Sequence, residues 1–275
     1  MTSKTKKQQD KTITCGEATM RLLTKYGVDT VFGIPGVHTL DYCRELRDGP
    51  IRHIQVRNEQ GAGFMADGYA RAARRPGVAL VISGPGVTNA LTAIGQSWAD
   101  SIPVLILSSE TDSSTHGKGW GALHEIPDQR AVTAQLTALS ARAKSPEDVP
   151  ELIGQAFGVF SSQRPRPVHI SIPIDVLAQP VSEDWMAMKL PKRAQPSADE
   201  IKAAANLLRS ANRPLLMVGG GAIDASVPVR KLVELLQAPV VCSTAGKGIV
   251  PDDHPLSLNA STVSPEVQSF ISTAD

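Results

Sequence analysis

Hydrophobic positions along this chain follow two rhythms, and the rhythms alternate. Ala18, Leu22, Leu23 and Tyr26 recur at helical spacing, which predicts a helix over 17–26 closed by Gly27 as its C-terminal cap. A brief strand over 30–32 follows, then a tight turn through Gly33-Ile-Pro-Gly36 and a helix over 38–46. Ile51, Ile54 and Val56 mark a strand over 51–56, and a helix runs from Glu59 to about residue 74. Residues 78–83 are almost wholly apolar, as expected of a strand covered on both faces. Gly84-Pro-Gly86 turns into a helix over 87–98, and 103–109 repeats the buried-strand pattern. Glycine and polar residues over 110–122 break the rhythm before a helix at 148–161 and a strand at 167–172.

Strands alternating with helices predict an α/β fold, a parallel sheet with helices on both faces. In such sheets ligands bind beyond the carboxyl ends of the strands. Those ends carry Gly33 to Gly36, Glu59, Ser83 to Gly86 and the loop after Ser109, so the candidates for chemistry gather on one edge. Pro180, Ser182, Pro191, Pro196 and Ser197 then mark a change of composition. The expected organisation is a tail at 1–11, a first domain at 12–181, a linker at 182–193 and part of a second α/β domain at 194–275. That second part reads as helix 198–209, strand 214–218, a glycine turn at 219–222, helix 227–236 and strand 239–243. Two strands make too small a sheet to stand alone comfortably.

Composition narrows the classes. A formal net charge of +1 over 275 residues gives no electrostatic footprint for nucleic acid or a membrane surface. No apolar run approaches the ~18 residues that a spanning helix needs. Residues 1–11 are polar and lysine-rich, without the apolar centre of a signal peptide, and read as a disordered tail. Cys15, Cys43 and Cys242 lack metal-ligand or redox spacing and read as buried small hydrophobes in a reducing compartment. A soluble cytoplasmic protein is expected.

The helix from Glu59 is unusual in its small residues: Gly61, Ala62, Gly63, Ala66, Gly68, Ala70 and Ala72. Glycine costs about 1 kcal/mol in a helix interior relative to alanine, so three of them suggest close approach of another backbone or a flat ligand. Glu59 itself meets the positive end of the helix dipole, where an ordinary capping charge would also sit. Gly219-Gly-Gly221 falls short of a dinucleotide fingerprint, because Asp224 stands where the third glycine would be.

Taken in order, Val31-Phe-Gly-Ile-Pro-Gly36, Arg57-Asn-Glu-Gln-Gly-Ala62, Met65-Ala-Asp-Gly-Tyr-Ala-Arg71, Ser83-Gly-Pro-Gly-Val-Thr-Asn89 and Asp100-Ser-Ile-Pro103 change that reading. Together they resemble thiamine-diphosphate-dependent enzymes of the acetolactate synthase and 2-oxo acid decarboxylase type. The resemblance implies a pyrimidine-binding domain followed by the start of the family's central domain, which sometimes binds a nucleotide. It implies that Glu59 hydrogen-bonds a ring nitrogen of the cofactor's aminopyrimidine and so promotes proton removal from the thiazolium carbon. Gly61, Ala62 and Gly63 would leave room for the pyrimidine. By the same resemblance Gly33, Pro35, Gly36 and Val37 approach the reactive face of the cofactor, while Gly84, Pro85, Gly86 and Asn89 border the pyrimidine pocket.

The loop from Glu110 to Glu125 is the expected specificity element. Leu123-His-Glu-Ile-Pro-Asp-Gln129 and Gly36-Val-His-Thr39 resemble decarboxylases acting on 5-guanidino-2-oxopentanoate. A guanidinium tail calls for a carboxylate that accepts two hydrogen bonds, and Glu110, Asp112 and Glu125 are the candidates. Glu110 stands where acetolactate synthases commonly carry glutamine, a departure from that subclass. His38 and His124 are candidate proton carriers, since imidazole titrates near neutrality. Family members hold the cofactor's diphosphate and its magnesium ion in a third domain marked by Gly-Asp-Gly, which this sequence lacks. No metal ligand is therefore assigned here. The resemblance implies an N-terminal fragment, inactive alone, that acts on a small 2-oxo acid within a homodimer or homotetramer built through the pyrimidine-binding domain. An acetolactate-synthase-like carboligase and an inactive truncated partner subunit are the alternatives.

Overall fold

The computed structural model describes residues 12–181 and 185–275, in two compact units that divide after Arg193. The expected tail and the first three residues of the expected linker lie outside the described residues. The first unit holds a six-stranded, wholly parallel sheet. Short β1 (Ile13–Thr14) leads into α1 (Cys15–Lys25), β2 (Thr30–Gly33), α2 (Leu40–Asp48) and β3 (Arg52–Gln55). Next come α3 (Glu59–Ala73), β4 (Gly77–Val81), α4 (Pro85–Asp100), β5 (Val104–Glu110) and α5 (Gln129–Ala134). The unit ends with β6 (Leu139–Arg142), α6 (Asp148–Ser162), β7 (Val168–Pro173), α7 (Ile174–Leu177) and β8 (Pro180–Val181). Sheet order is β3-β2-β4-β5-β7-β6, and β8 pairs antiparallel with β1, joining the two ends of the unit.

The helices start where side chains supply the amide acceptors that a first turn lacks. Thr14 and Glu17 form a capping box on α1, and Asn58 Oδ1 accepts from Gln60 N at 2.8 Å at the start of α3. The central strands have both faces in the core. On β5, Leu105 and Leu107 join Leu22, Leu23, Tyr42, Ile153 and Phe157 on one side. Val104 and Ile106 join Ala62, Ala66, Ala90 and Ile94 on the other. Each large side chain so buried contributes roughly 1.5–3 kcal/mol. Strand β3 is shorter and more exposed than its apolar residues predict, because it lies at the sheet's edge. Edge strand β6 and one-turn α5 escape prediction altogether, since neither buries enough apolar surface to carry a period.

The small-residue stripe of α3 serves packing against α4. A Cβ on Gly63 would stand 2.6 Å from the Cβ of Ala93, whereas Gly61 and Gly68 face open space. Room for a ligand is therefore not the reason for Gly63, which corrects the expectation. Asp67 and Arg71 bind the same two helices electrostatically. Arg71 Nε donates to Asp67 Oδ1 at 2.6 Å, Arg71 Nη2 to Asp100 Oδ2 at 2.8 Å, and Ser97 Oγ to Asp67 Oδ2 at 2.8 Å.

The second unit contains α8 (Ala198–Ser210), α9 (Ser226–Leu236) and α10 (Pro265–Ile271), with parallel strands β9 (Leu216–Val218) and β10 (Val240–Cys242). Val218, Val233, Val240, Ile249 and Val250 form its core. The glycine run after β9 is a 3-10 turn, Gly220–Ala225, rather than the start of a long helix.

The contrast along α3 makes a test. Gly63→Ala should destabilise the fold by about 1–2 kcal/mol through overpacking, despite its better helix propensity. Gly68→Ala, at an open position of the same helix, should stabilise it by about 0.5–1 kcal/mol. Urea unfolding of both variants reads the two signs directly.

Candidate active site

The chain runs from β2 outward to β3, then back across β2 to β4, so the sheet has a topological switch point between β2 and β4. A crevice at such a point lies beyond the carboxyl ends of the strands. Its walls come close together. A Cβ on Gly33 would stand 2.3 Å from the carbonyl oxygen of Leu80, and one on Gly36 would stand 2.6 Å from Ile82 Cδ1. Pro35 and Val37 sit exposed on the rim, whereas His38 is buried in the 3-10 turn Val37–Thr39. Its Nδ1 makes a short hydrogen bond with Ser83 Oγ, and its ring meets that of His124 edge to face at 5.7 Å. Burial, then the neighbouring His124 ring, pushes the His38 pKa below its ordinary value.

Glu59 occupies the first position of α3 and is 9% exposed. Asn89 Nδ2 donates to its Oε2 at 3.0 Å. No described residue donates to Oε1, and a Cβ on Gly86 would stand only 3.3 Å from it. The carboxylate is thus held on one side and left open on the other. The turn that carries Gly86 is unusual. Gly84 has φ +55° and ψ −105°, and a Cβ there would lie 2.1 Å from the carbonyl oxygen of His124. His124 also has positive φ, and its Nδ1 is buried with no partner among the described residues.

The three acids picked out for the loop lie in different surroundings. Glu110 is 6% exposed at the end of β5 and pairs with Arg142, whose Nε donates to Oε2 at 2.6 Å and whose Nη2 makes a shorter bond to Oε1. Ser171 Oγ adds a third donor at 2.6 Å. An arginine of the chain already takes that carboxylate. Asp112 caps a 3-10 turn by accepting from Ser114 N at 2.9 Å. Glu125 lines a cavity of about 560 Å³ together with Pro85, Gly119, Gly121, His124 and Ile126. Its carboxylate accepts from the amides of Gly119, Gly121 and Ala122 at 3.0, 2.8 and 3.0 Å. It has no ion-pair partner among the described residues. Trp120, exposed on the same loop, carries the Lys118 ammonium 4.2 Å from its ring centroid.

The sequence reading missed the polar layer under the turn. Gln129, 1% exposed, accepts from Gly84 N at 2.7 Å, and its Nε2 lies within 3.0 Å of Ser108 Oγ, Ser109 O and Ser171 Oγ. His169 is fully buried between Ser108 Oγ and Thr133 Oγ1, each at 2.8 Å. Gln129 falls inside the motif 123–129, but no apolar periodicity signals that its side chain turns inward.

Comparison with known proteins identifies the domains. Residues 13–132 match the family described as thiamine pyrophosphate enzyme, N-terminal TPP binding domain, and residues 201–275 match the central domain of the same enzymes. The chain belongs to the thiamine pyrophosphate enzyme family. It is 56% identical over 270 residues to the probable 2-ketoarginine decarboxylase AruI of Pseudomonas aeruginosa, covering 98% of this chain and 48% of that protein. It is 38% identical over 247 residues to the acetolactate synthase isozyme 3 large subunit of Escherichia coli K12, covering 86% of this chain and 42% of that protein. The acetolactate synthase of Mycobacterium bovis is 36% identical over 249 residues, covering 88% of this chain and 40% of that protein. The chain therefore spans about half the length of the curated relatives it matches. Among the described residues no helix is long and apolar enough to cross a membrane. The family's cofactor, thiamine diphosphate, suits the donor set here, because Glu59 keeps an open oxygen beside the side-chain-free Gly86.

His169 makes the polar layer measurable. Burial lowers its pKa from 6.5 to about 4, so the folded state holds it neutral while the unfolded chain protonates at 6.5. Stability is then full above pH 6.5 and falls as pH drops towards 4, by up to about 1.4 kcal/mol per pH unit. His169→Gln should flatten that slope in urea titrations run between those two pH values.

Proposed function

We propose that this chain supplies the cofactor-activating half-site of a thiamine-diphosphate-dependent 2-oxo acid decarboxylase whose substrate is 2-ketoarginine, 5-guanidino-2-oxopentanoate. The observation that carries the reading is Glu59, buried at a helix start with one oxygen held by Asn89 and the other open. A carboxylate so placed is shielded from water, and its hydrogen bonds are correspondingly strong. Thiamine diphosphate, when bound, supplies the electron sink that decarboxylation of a 2-oxo acid requires. Glu59 Oε1 would hold the proton opposite the aminopyrimidine, with Asn89 orienting the carboxyl group. Gly33, Pro35, Gly36, Val37, Gly84, Pro85 and Gly86 would shape the surrounding walls. His38 is held largely neutral by burial and is hydrogen-bonded to Ser83, so it would accept and return a proton at Nε2. His124 Nδ1, buried and without a partner among the described residues, is the second candidate for that work.

The substrate assignment rests on the relative that shares 56% identity and on Glu125. Of the three loop acids, Glu125 both lines the cavity and lacks a cationic partner among the described residues. An anion in that position would attract a guanidinium tail. Carboligation of the acetolactate synthase kind is the competing reading, supported by the relatives at 36% and 38% identity. The proposal also includes a magnesium ion accompanying the diphosphate, with no ligand assigned in this chain, and a cytoplasmic location. It includes a homodimer or homotetramer formed through the first unit. Exposed Val37, Leu40, Phe64 and Met65 support such an association.

Two variants of the complete protein test this. Glu59→Gln should lower kcat for 2-ketoarginine decarboxylation by about 10²- to 10⁴-fold without changing the unfolding midpoint greatly. Unaltered turnover would end the assignment. Glu125→Gln should raise KM for 2-ketoarginine by about 10- to 100-fold and leave any reaction with pyruvate unaffected. Acetolactate formed from pyruvate by the parent protein, with 2-ketoarginine untouched, would favour the carboligase instead.

A further inference from the structure

We propose that Gln129 is the positioning residue of this site, fixing the turn from Ser83 to Gly86 against the ends of β5 and β7. The inference rests on reading that turn as a wall of the thiamine diphosphate pocket. Gly84, at φ +55° and ψ −105°, lies outside the regions open to other residues, and such a conformation persists only where its surroundings hold it. Its buried amide has an acceptor in Gln129 Oε1 at 2.7 Å. The same carboxamide is tied through Nε2 to Ser108 Oγ at 2.9 Å, Ser109 O at 2.9 Å and Ser171 Oγ at 3.0 Å. Gln129 thereby joins β4's exit to two neighbouring strands.

The proton-handling groups of the site meet that turn. His38 Nδ1 bonds to Ser83 Oγ, the His124 carbonyl presses on Gly84, and Gly86 borders Glu59. Asn89, one helical turn further along α4, holds Glu59 Oε2. A shift of the turn would therefore move both histidine contacts and the Glu59–Asn89 pair at once. Gln129 acts through these residues and is not itself a catalytic residue.

The test uses the complete protein. In the parent, the Gly84 amide should exchange with solvent about 10²-fold or more slowly than in an unstructured peptide. Free exchange there would overturn the proposal, whether or not any variant folds. Gln129→Asn keeps a carboxamide for the serines but is one methylene too short to reach Gly84 as well. It should speed exchange at Gly84 about tenfold and weaken thiamine diphosphate binding, with Mg²⁺ present, about tenfold, as expected for loss of one buried hydrogen bond. Ser140→Ala is the control, since Ser140 bonds to Thr133 Oγ1 and Arg130 O on the far side of the layer. It should lower Tm while leaving both readouts unchanged. A folded Gln129→Asn protein with parental exchange and affinity would overturn the inference. So would Ser140→Ala shifting both in proportion to its loss of Tm. A parent protein that fails to bind thiamine diphosphate would overturn the pocket reading, while Gly84 exchange would still judge the staple.

Discussion

The edge of this sheet depends on a close approach between two backbones. The carbonyl oxygen of His124 lies 2.1 Å from where a Cβ of residue 84 would stand, so any side chain there would push apart the turn after β4 and the loop after β5. Glycine permits the contact, and its tolerance of positive φ permits the turn. Once the two segments meet, Ser83 faces His38, Gly86 faces Glu59, and His124 stands beside the His38 ring. Residues from four separate stretches of chain are thus placed by one backbone contact.

Holding that contact requires polar groups in a place the sheet would otherwise fill with apolar ones. Such groups are costly when unpaired and rigid when fully paired. Here Gln129, Ser108, Ser171, His169 and Thr133 satisfy one another, and the Glu110–Arg142 ion pair closes the layer at the neighbouring strand ends. The neutrality of His169 belongs to the same logic, since a charge in the centre of the layer would face burial with only the distant help of Glu110. Glu59 and Glu125 contrast with these paired groups. One keeps an oxygen free beside Gly86, and the other lines a cavity with no cation opposite it among the described residues.

The family's motifs also divide by physical role. Asp67, Arg71 and Asp100 read at first as part of a functional signature, yet they tie α3 to α4 through hydrogen bonds of 2.6 and 2.8 Å. Gly63 contributes to the same interface by letting Ala93 approach. Arg142 takes Glu110 away from the group of available acids, even though Glu110 sits nearest the end of a central strand.

By itself the sequence determined the central strands, the larger helices, the parallel architecture and the place of Glu59. Those features write themselves into local patterns: long apolar runs for strands buried on both faces, helical periods for amphipathic helices, and glycine where a turn demands it. Edge strand β6, the inward turn of Gln129 and the pairing of Glu110 with Arg142 were decided only in three dimensions. Edge strands bury too little to leave a period, and hydrogen bonds between residues 20 to 45 positions apart leave no mark on local spacing. The role of Gly63 was likewise open, because a small residue in a helix admits a ligand or a neighbouring helix equally well. Only the position of Ala93 settled which of the two it admits.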